Sequence, residues 1–82
     1  MEINIKNGNI TIICDLETAF LTGEAYHNVK IYQNNIKMRE EHVHCCDNGY
    51  EAIFHVINKL PDSDYKEAMN EVVAYNYICY AD

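Results

Sequence analysis

The chain has 82 residues, a formal net charge of −7 and a hydrophobic fraction of 49%. This length suits a single domain over residues 1–82 with one modest core, and the apolar content argues against disorder. No stretch approaches the ~20 apolar residues that span a bilayer, and the first residues lack the basic and apolar segments of a secretory signal. We therefore expect a cytoplasmic domain without a membrane partner.

The negative charge is concentrated in the second half of the chain. Residues 1–46 have a net charge of −2, whereas residues 47–82 have a net charge of −5, with Lys59 and Lys66 as the only basic residues. An acidic surface repels phosphate backbones and attracts basic partners. Direct binding of nucleic acid is therefore not expected, and a protein partner with a basic surface is favoured.

The first half of the chain has the alternation of β-strands. Apolar residues alternate with polar ones on both sides of Asn7-Gly8, at Ile3, Ile5, Ile10, Ile12 and Cys14. An Asn-Gly pair between two such runs predicts a hairpin with a type I′ turn, in which both central residues have positive φ.

The next segment is ambiguous, and a second hairpin follows it. Asp15 could cap a short helix over residues 16–22 that ends at Gly23, or the segment could be a long connection. Alternation resumes on both sides of a turn at Asn34-Asn35, at Val29, Ile31, Ile36 and Met38. The alternation then changes phase before Val43 and Cys45, which predicts a β-bulge near residues 39–41.

The second half has helical periodicity. Asp47 or Asn48 can cap a first helix that Pro61 stops, with apolar residues at Tyr50, Ile53, Phe54, Ile57 and Leu60. Asp62 or Ser63 can cap a second helix, with an apolar stripe at Tyr65, Ala68, Met69, Val72 and Cys79. Strand-forming residues near its end suggest fraying or an extended segment. The sequence thus predicts an α+β fold, a four-stranded antiparallel sheet of two hairpins followed by two helices packed on one face.

Two histidines and a cysteine form the most suggestive cluster for metal or thiol chemistry. His42 and His44 are two residues apart and would share one face of a strand with Cys46, while Cys14 or Cys79 could add a ligand. The spacing matches no common zinc pattern. Solvent-facing histidines beside reduced core cysteines remain the simpler interpretation, and we expect no bound metal or cofactor.

Catalysis is not expected from this sequence. Glu51 and His55 are one helical turn apart, but such a pair on an exposed helix is usually a surface contact. Few basic residues are available to activate a thiol, and so short a chain leaves little room for a deep pocket.

The outward face of the second helix is the strongest candidate for binding. Asp64, Glu67 and Glu71 align at helical spacing, Ile78 continues the line and Tyr75 lies beside it. Neighbouring carboxylates about 5–6 Å apart approach the spacing of phosphates along a nucleic-acid strand. We therefore predict that these five residues bind a basic protein surface, although a solvated helix face would show the same charge pattern.

In its order of elements, the chain resembles the small phage-encoded anti-CRISPR proteins, in particular a type I-F inhibitor with an antiparallel sheet and two helices. The local similarity is Leu60-Pro61-Asp62-Ser63 between the helices and Ala68-Met69-Asn70-Glu71-Val72 in the second helix. The resemblance implies a non-catalytic inhibitor, in the cytoplasm of a host bacterial cell, that binds a CRISPR effector subunit. The alternatives are a metal-binding or thiol-dependent protein that uses His42, His44 and Cys46, and a module that forms a homodimer through an open sheet edge.

Overall fold

The computed structural model describes residues 1–44 and 46–81 and has the predicted α+β architecture. Its four strands, β1 (Glu2–Ile5), β2 (Ile10–Thr18), β3 (Ala25–Gln33) and β4 (Ile36–Val43), form one antiparallel sheet in chain order. Two helices follow, α1 (Gly49–Ile57) and α2 (Asp64–Ala81), and pack against the sheet. Within the described residues, neither helix is both long and apolar enough to cross a bilayer.

The first hairpin is confirmed, but its turn differs from the predicted one. Ile5 pairs with Ile10, so the loop has four residues instead of two. Positive φ occurs at Gly8 (84°) and Asn9 (51°), and not at Asn7. The backbone amide of Asn9 donates to the carbonyl of Lys6 at 3.1 Å and closes the loop. The predicted type I′ turn at Asn7-Gly8 is therefore wrong.

Neither prediction for residues 15–23 is correct. Strand β2 continues to Thr18 and pairs with β3 along its whole length, from Ile10 opposite Gln33 to Thr18 opposite Ala25. Backbone pairing with β3 provides hydrogen bonds to alternate residues of this segment, so it remains a strand although no core covers Leu16. The sheet is thus a meander of three hairpins, with β2 and β3 forming the longest one.

The β3–β4 hairpin has the predicted turn and a bulge close to the predicted position. Asn34 and Asn35 have φ of 52° and 64°, as a type I′ turn requires. The register changes between Tyr32, which pairs with Lys37, and Ile31, which pairs with Arg39. The extra residue is therefore Met38, just before the predicted segment. Beyond it, Val43 returns to the core face of the sheet.

The core lies between the sheet and the two helices. It contains residues from every element, namely Ile3, Ile5, Ile10, Ile12, Cys14, Val29, Ile31, Val43, Ala52, Ile53, Val56, Ile57, Met69 and Val73. In α2 the buried positions are Met69 and Val73, whereas Tyr65 and Cys79 are exposed. The predicted apolar stripe is wrong at those two positions, because the packed face of the helix includes Val73.

The helix boundaries follow from capping interactions. Asn48 Oδ1 accepts a hydrogen bond from the Glu51 amide at 3.0 Å, and Ser63 Oγ accepts one from the Lys66 amide at 3.1 Å. Both residues are among the predicted caps. Helix α1 ends at Ile57, a few residues before Pro61. Helix α2 continues to Ala81, so the predicted extended end is wrong.

We predict that Gly8→Ala destabilises the fold by more than Gly23→Ala. Both glycines have positive φ, which costs a residue with a Cβ roughly 1–2 kcal/mol. A Cβ on Gly8 would also lie 2.7 Å from Cε1 of Tyr65, whereas a Cβ on Gly23 would meet no atom within 4 Å. Urea denaturation of both variants measures the difference, and equal destabilisation would contradict the proposed contact with Tyr65.

Candidate protein-binding site

The five predicted binding residues lie on one exposed face of α2. We call Asp64, Glu67, Glu71, Tyr75 and Ile78 the acidic ridge; all five are exposed. The opposite face of the helix contributes Met69 and Val73 to the core. At a rise of about 1.5 Å per residue, the ridge is about 21 Å long. Its first half is anionic, and its second half has an aromatic and an aliphatic side chain.

The carboxylates of the ridge have no cationic partner among the described residues. Lys66, the only basic residue of α2, folds back onto the α1–α2 connection. Its Nζ donates to the carbonyl of Leu60 at 2.9 Å and lies 3.3 Å from the carboxylate of Asp62. The negative charge of Asp64, Glu67 and Glu71 is therefore available to a partner. The same acidic groups line an open surface depression together with Asp62 and Lys66.

The histidine cluster is only partly assembled. Tyr26 stacks on His42 with 4.5 Å between ring centroids and lies 5.5 Å from His44, so both histidines flank the same tyrosine on the sheet face away from the helices. Cys46 is half-buried and packs against the core, and it lines one surface pocket together with His42, His44 and His55 of α1. Cys14 is buried in the core. The described residues contain no group of three ligands arranged to hold a metal ion; Cys45 lies outside them.

Cys14 lies in the core, and Glu51 caps the start of α1. Burial raises the pKa of the Cys14 thiol, which disfavours the reactive thiolate. The carboxylate of Glu51 accepts a hydrogen bond from the Asp47 amide at 3.1 Å, so it caps the start of α1. This contact, together with the bond from its own amide to Asn48, gives Glu51 a capping function independent of His55.

The open edges of the sheet have features that oppose pairing with another strand. Edge strand β4 contains the bulge at Met38 and a run of charged residues on both faces. Edge strand β1 has four residues. Bulges, charges and short lengths are the common means by which proteins protect sheet edges. These features weigh against the homodimer formed by an open edge.

Glu41 on β4 forms two ion pairs, and their effect on the pKa of its carboxyl group can be measured. Lys59 donates to Glu41 at 2.7 Å and lowers the pKa of that carboxyl; Arg39, at 2.8 Å, lowers it further, while partial burial opposes both. A lowered pKa contributes stability above the pKa of the unfolded chain, and this contribution is lost as the pH falls.

We predict that Lys59→Met raises the pKa of Glu41 towards the ordinary value for a glutamate. NMR titration of the Glu41 carboxyl carbon measures the shift. Lys37→Met is the matched control, because Lys37 pairs with Glu40 and should leave the pKa of Glu41 nearly unchanged. A larger effect from the control than from Lys59→Met would contradict this assignment.

The structure reveals one exposed feature that the sequence interpretation missed. The β2–β3 hairpin ends in a loop in which Phe20 is 99% exposed and Leu21 is 92% exposed. The continuing alternation of Ile12, Cys14 and Leu16, and the turn-forming Thr22-Gly23, are the sequence signals for this hairpin. Because residues 16–22 were predicted as a short helix or a long connection, the exposure of Phe20 and Leu21 at a hairpin loop was not expected.

Comparisons with models of protein families, with curated proteins and with solved structures found no match.

Proposed function

We propose that this protein is a small, non-catalytic intracellular inhibitor that binds a basic surface of a nucleic-acid-handling defence complex, in the manner of an anti-CRISPR protein. The proposed partner is a CRISPR effector subunit in a host bacterial cell. The proposed contact is made by the acidic ridge, which would occupy a surface that otherwise holds nucleic acid.

The observation that carries this proposal is the unpaired negative charge of the ridge. Within the described residues, Asp64, Glu67 and Glu71 have no ion pair. The ammonium group of Lys66 instead donates to the carbonyl of Leu60 and pairs with Asp62. Surface carboxylates without intramolecular partners attract a basic partner and accelerate its association.

The second half of the ridge supports a protein partner. Tyr75 is 70% exposed and Ile78 is 63% exposed, and both follow the carboxylates along the same helix face. Aromatic residues often contribute most of the binding energy at protein interfaces. An anionic segment followed by apolar anchors suits a basic protein surface better than it suits nucleic acid.

A pull-down from bacterial lysates that contain CRISPR effector complexes tests the proposal. We expect the tagged protein to recover an effector subunit at low salt and less of it at moderate salt, because salt screens exposed charges. The matched control bait is E2Q/D15N/D47N, which removes three exposed acidic residues away from the ridge and should recover the same subunit. Failure of the wild-type bait to recover any effector subunit at low salt would contradict the proposal.

A further inference from the structure

We infer that the outer part of the β2–β3 hairpin is a second docking element, which inserts into an apolar cleft with a basic rim on a protein partner. We call residues 16–27 the distal hairpin. This inference rests on the proposed function in one respect: the partner is taken to be the one that the acidic ridge binds.

The distal hairpin projects beyond the core. The last pair of this hairpin with both side chains in the core is Cys14 opposite Val29. Strand pairing continues to Thr18 opposite Ala25, which places the loop roughly 13 Å further along at about 3.3 Å per residue. Leu16 lies within this extension and is 69% exposed.

The loop of the distal hairpin is closed by three internal hydrogen bonds. The Ala19 amide donates to the carbonyl of Glu24 at 2.8 Å, and the Gly23 amide donates to the carbonyl of Ala19 at 2.9 Å. The Thr22 hydroxyl accepts a third bond, from the Glu24 amide at 3.3 Å. A loop that is ordered before binding loses less conformational entropy when it binds. Phe20 and Leu21 are therefore presented on a preformed support.

The charges around the loop indicate the chemistry of the partner. No lysine or arginine occurs between Lys6 and Lys30, whereas Glu17 and Glu24 lie on either side of the two apolar residues. Apolar side chains favour an apolar cleft, and flanking carboxylates favour lysines or arginines at its rim. The same charges disfavour an anionic membrane and a second copy of this acidic chain.

The distal hairpin and the apolar half of the ridge lie towards the same end of the molecule. Helix α2 begins beside the β1–β2 loop, where Tyr65 approaches Gly8. Near its other end, Tyr77 stacks on Tyr50 of α1 with 5.2 Å between ring centroids, and the neighbouring Gly49 lies beside Cys14. This orientation of α2 is compatible with a single partner that contacts both Tyr75 and Ile78 and the distal hairpin.

Site-specific photo-cross-linking tests this inference. Phe20 is replaced by p-benzoylphenylalanine, and Ile36, an exposed residue beside the β3–β4 turn, is replaced in the same way as the control. Both proteins are irradiated in lysates that contain CRISPR effector complexes, and the adducts are mapped by mass spectrometry. The binding of F20S/L21S to the cross-linked protein is then compared with that of I36S/M38S.

We expect the Phe20 adduct on an apolar cleft bordered by lysine or arginine, and roughly tenfold or greater loss of affinity in F20S/L21S but not in I36S/M38S. Adducts only on lipid, adducts only on a second copy, no adduct above the level at Ile36, or unchanged affinity of F20S/L21S would each overturn the inference. Cross-linking in a D64N/E67Q/E71Q background separates it from the proposed function. If the Phe20 adduct still forms in that background and the affinity is unchanged, the distal hairpin is a docking element and the ridge is not.

Discussion

Neutralising the acidic ridge with D64N/E67Q/E71Q is expected to weaken binding to the proposed effector subunit by roughly 10- to 100-fold. Each exposed charge contributes up to about 1 kcal/mol, and every 1.4 kcal/mol is a tenfold change in affinity. The loss should appear mainly in the association rate, and the salt dependence of the affinity should become weaker. Surface plasmon resonance at several salt concentrations measures both quantities.

The control for this experiment has the same net charge but an intact ridge. E2Q/D15N/D47N removes three exposed carboxylates elsewhere, none of which lines the depression beside the ridge. We expect it to retain most of the wild-type affinity. Equal losses in the two triple variants would mean that total charge, and not the ridge, determines binding. The charge reversal D64K/E67K/E71K should abolish binding, and full affinity in that variant would rule the ridge out.

Ile53→Ala is expected to destabilise the fold by about 2–5 kcal/mol. Ile53 in α1 is fully buried within the core shared by the sheet and both helices. Domains of this size have little stability to lose, so the variant should be substantially unfolded at physiological temperature. Urea denaturation followed by circular dichroism measures the change in the free energy of unfolding.

Two variants calibrate the effect of Ile53→Ala. Ile53→Val removes one methylene-sized group from the same site and should cost about 0.5–1.5 kcal/mol. Ile36→Ala removes an exposed side chain, so its effect on stability should be small. A cost below about 1 kcal/mol for Ile53→Ala, or similar costs at Ile53 and Ile36, would contradict the described core.

The fold class was predictable because the strongest local signals agreed with the packing. Alternation around Ile3, Ile12 and Val29 identified the strands, and all three residues are in the core. Asn34-Asn35 identified its turn because asparagine tolerates positive φ better than most residues. Asn48 and Ser63 identified the helix starts because their side chains accept backbone hydrogen bonds there.

The structural predictions were wrong where contacts between distant parts of the chain determine the local structure. The length of β2 depends on pairing with β3, and the alternation that continues to Leu16 does not by itself show where the strand ends. In α2, Val72 and Val73 are adjacent valines, and only the position of the helix against the sheet selects Val73 for full burial. The turn at Gly8 accommodates Tyr65, which is far away in the sequence.

Some features of the candidate site were also predictable from the sequence, and others were not. The exposure of the acidic ridge was predictable from the spacing of Asp64, Glu67 and Glu71 on one helix face. The position of Lys66 was not, because it depends on the carbonyl of Leu60 in the preceding turn. Nor was the projection of Phe20, which depends on a hairpin that extends beyond the core.

Inhibition by binding is tested by titration of the purified protein into a purified type I-F CRISPR effector complex. Target-DNA binding by the complex is followed by fluorescence anisotropy, with D64K/E67K/E71K as the inactive control. We expect DNA binding by the complex to fall as wild-type protein is added and to persist with the control variant. Unchanged DNA binding and cleavage in the presence of excess wild-type protein would contradict it.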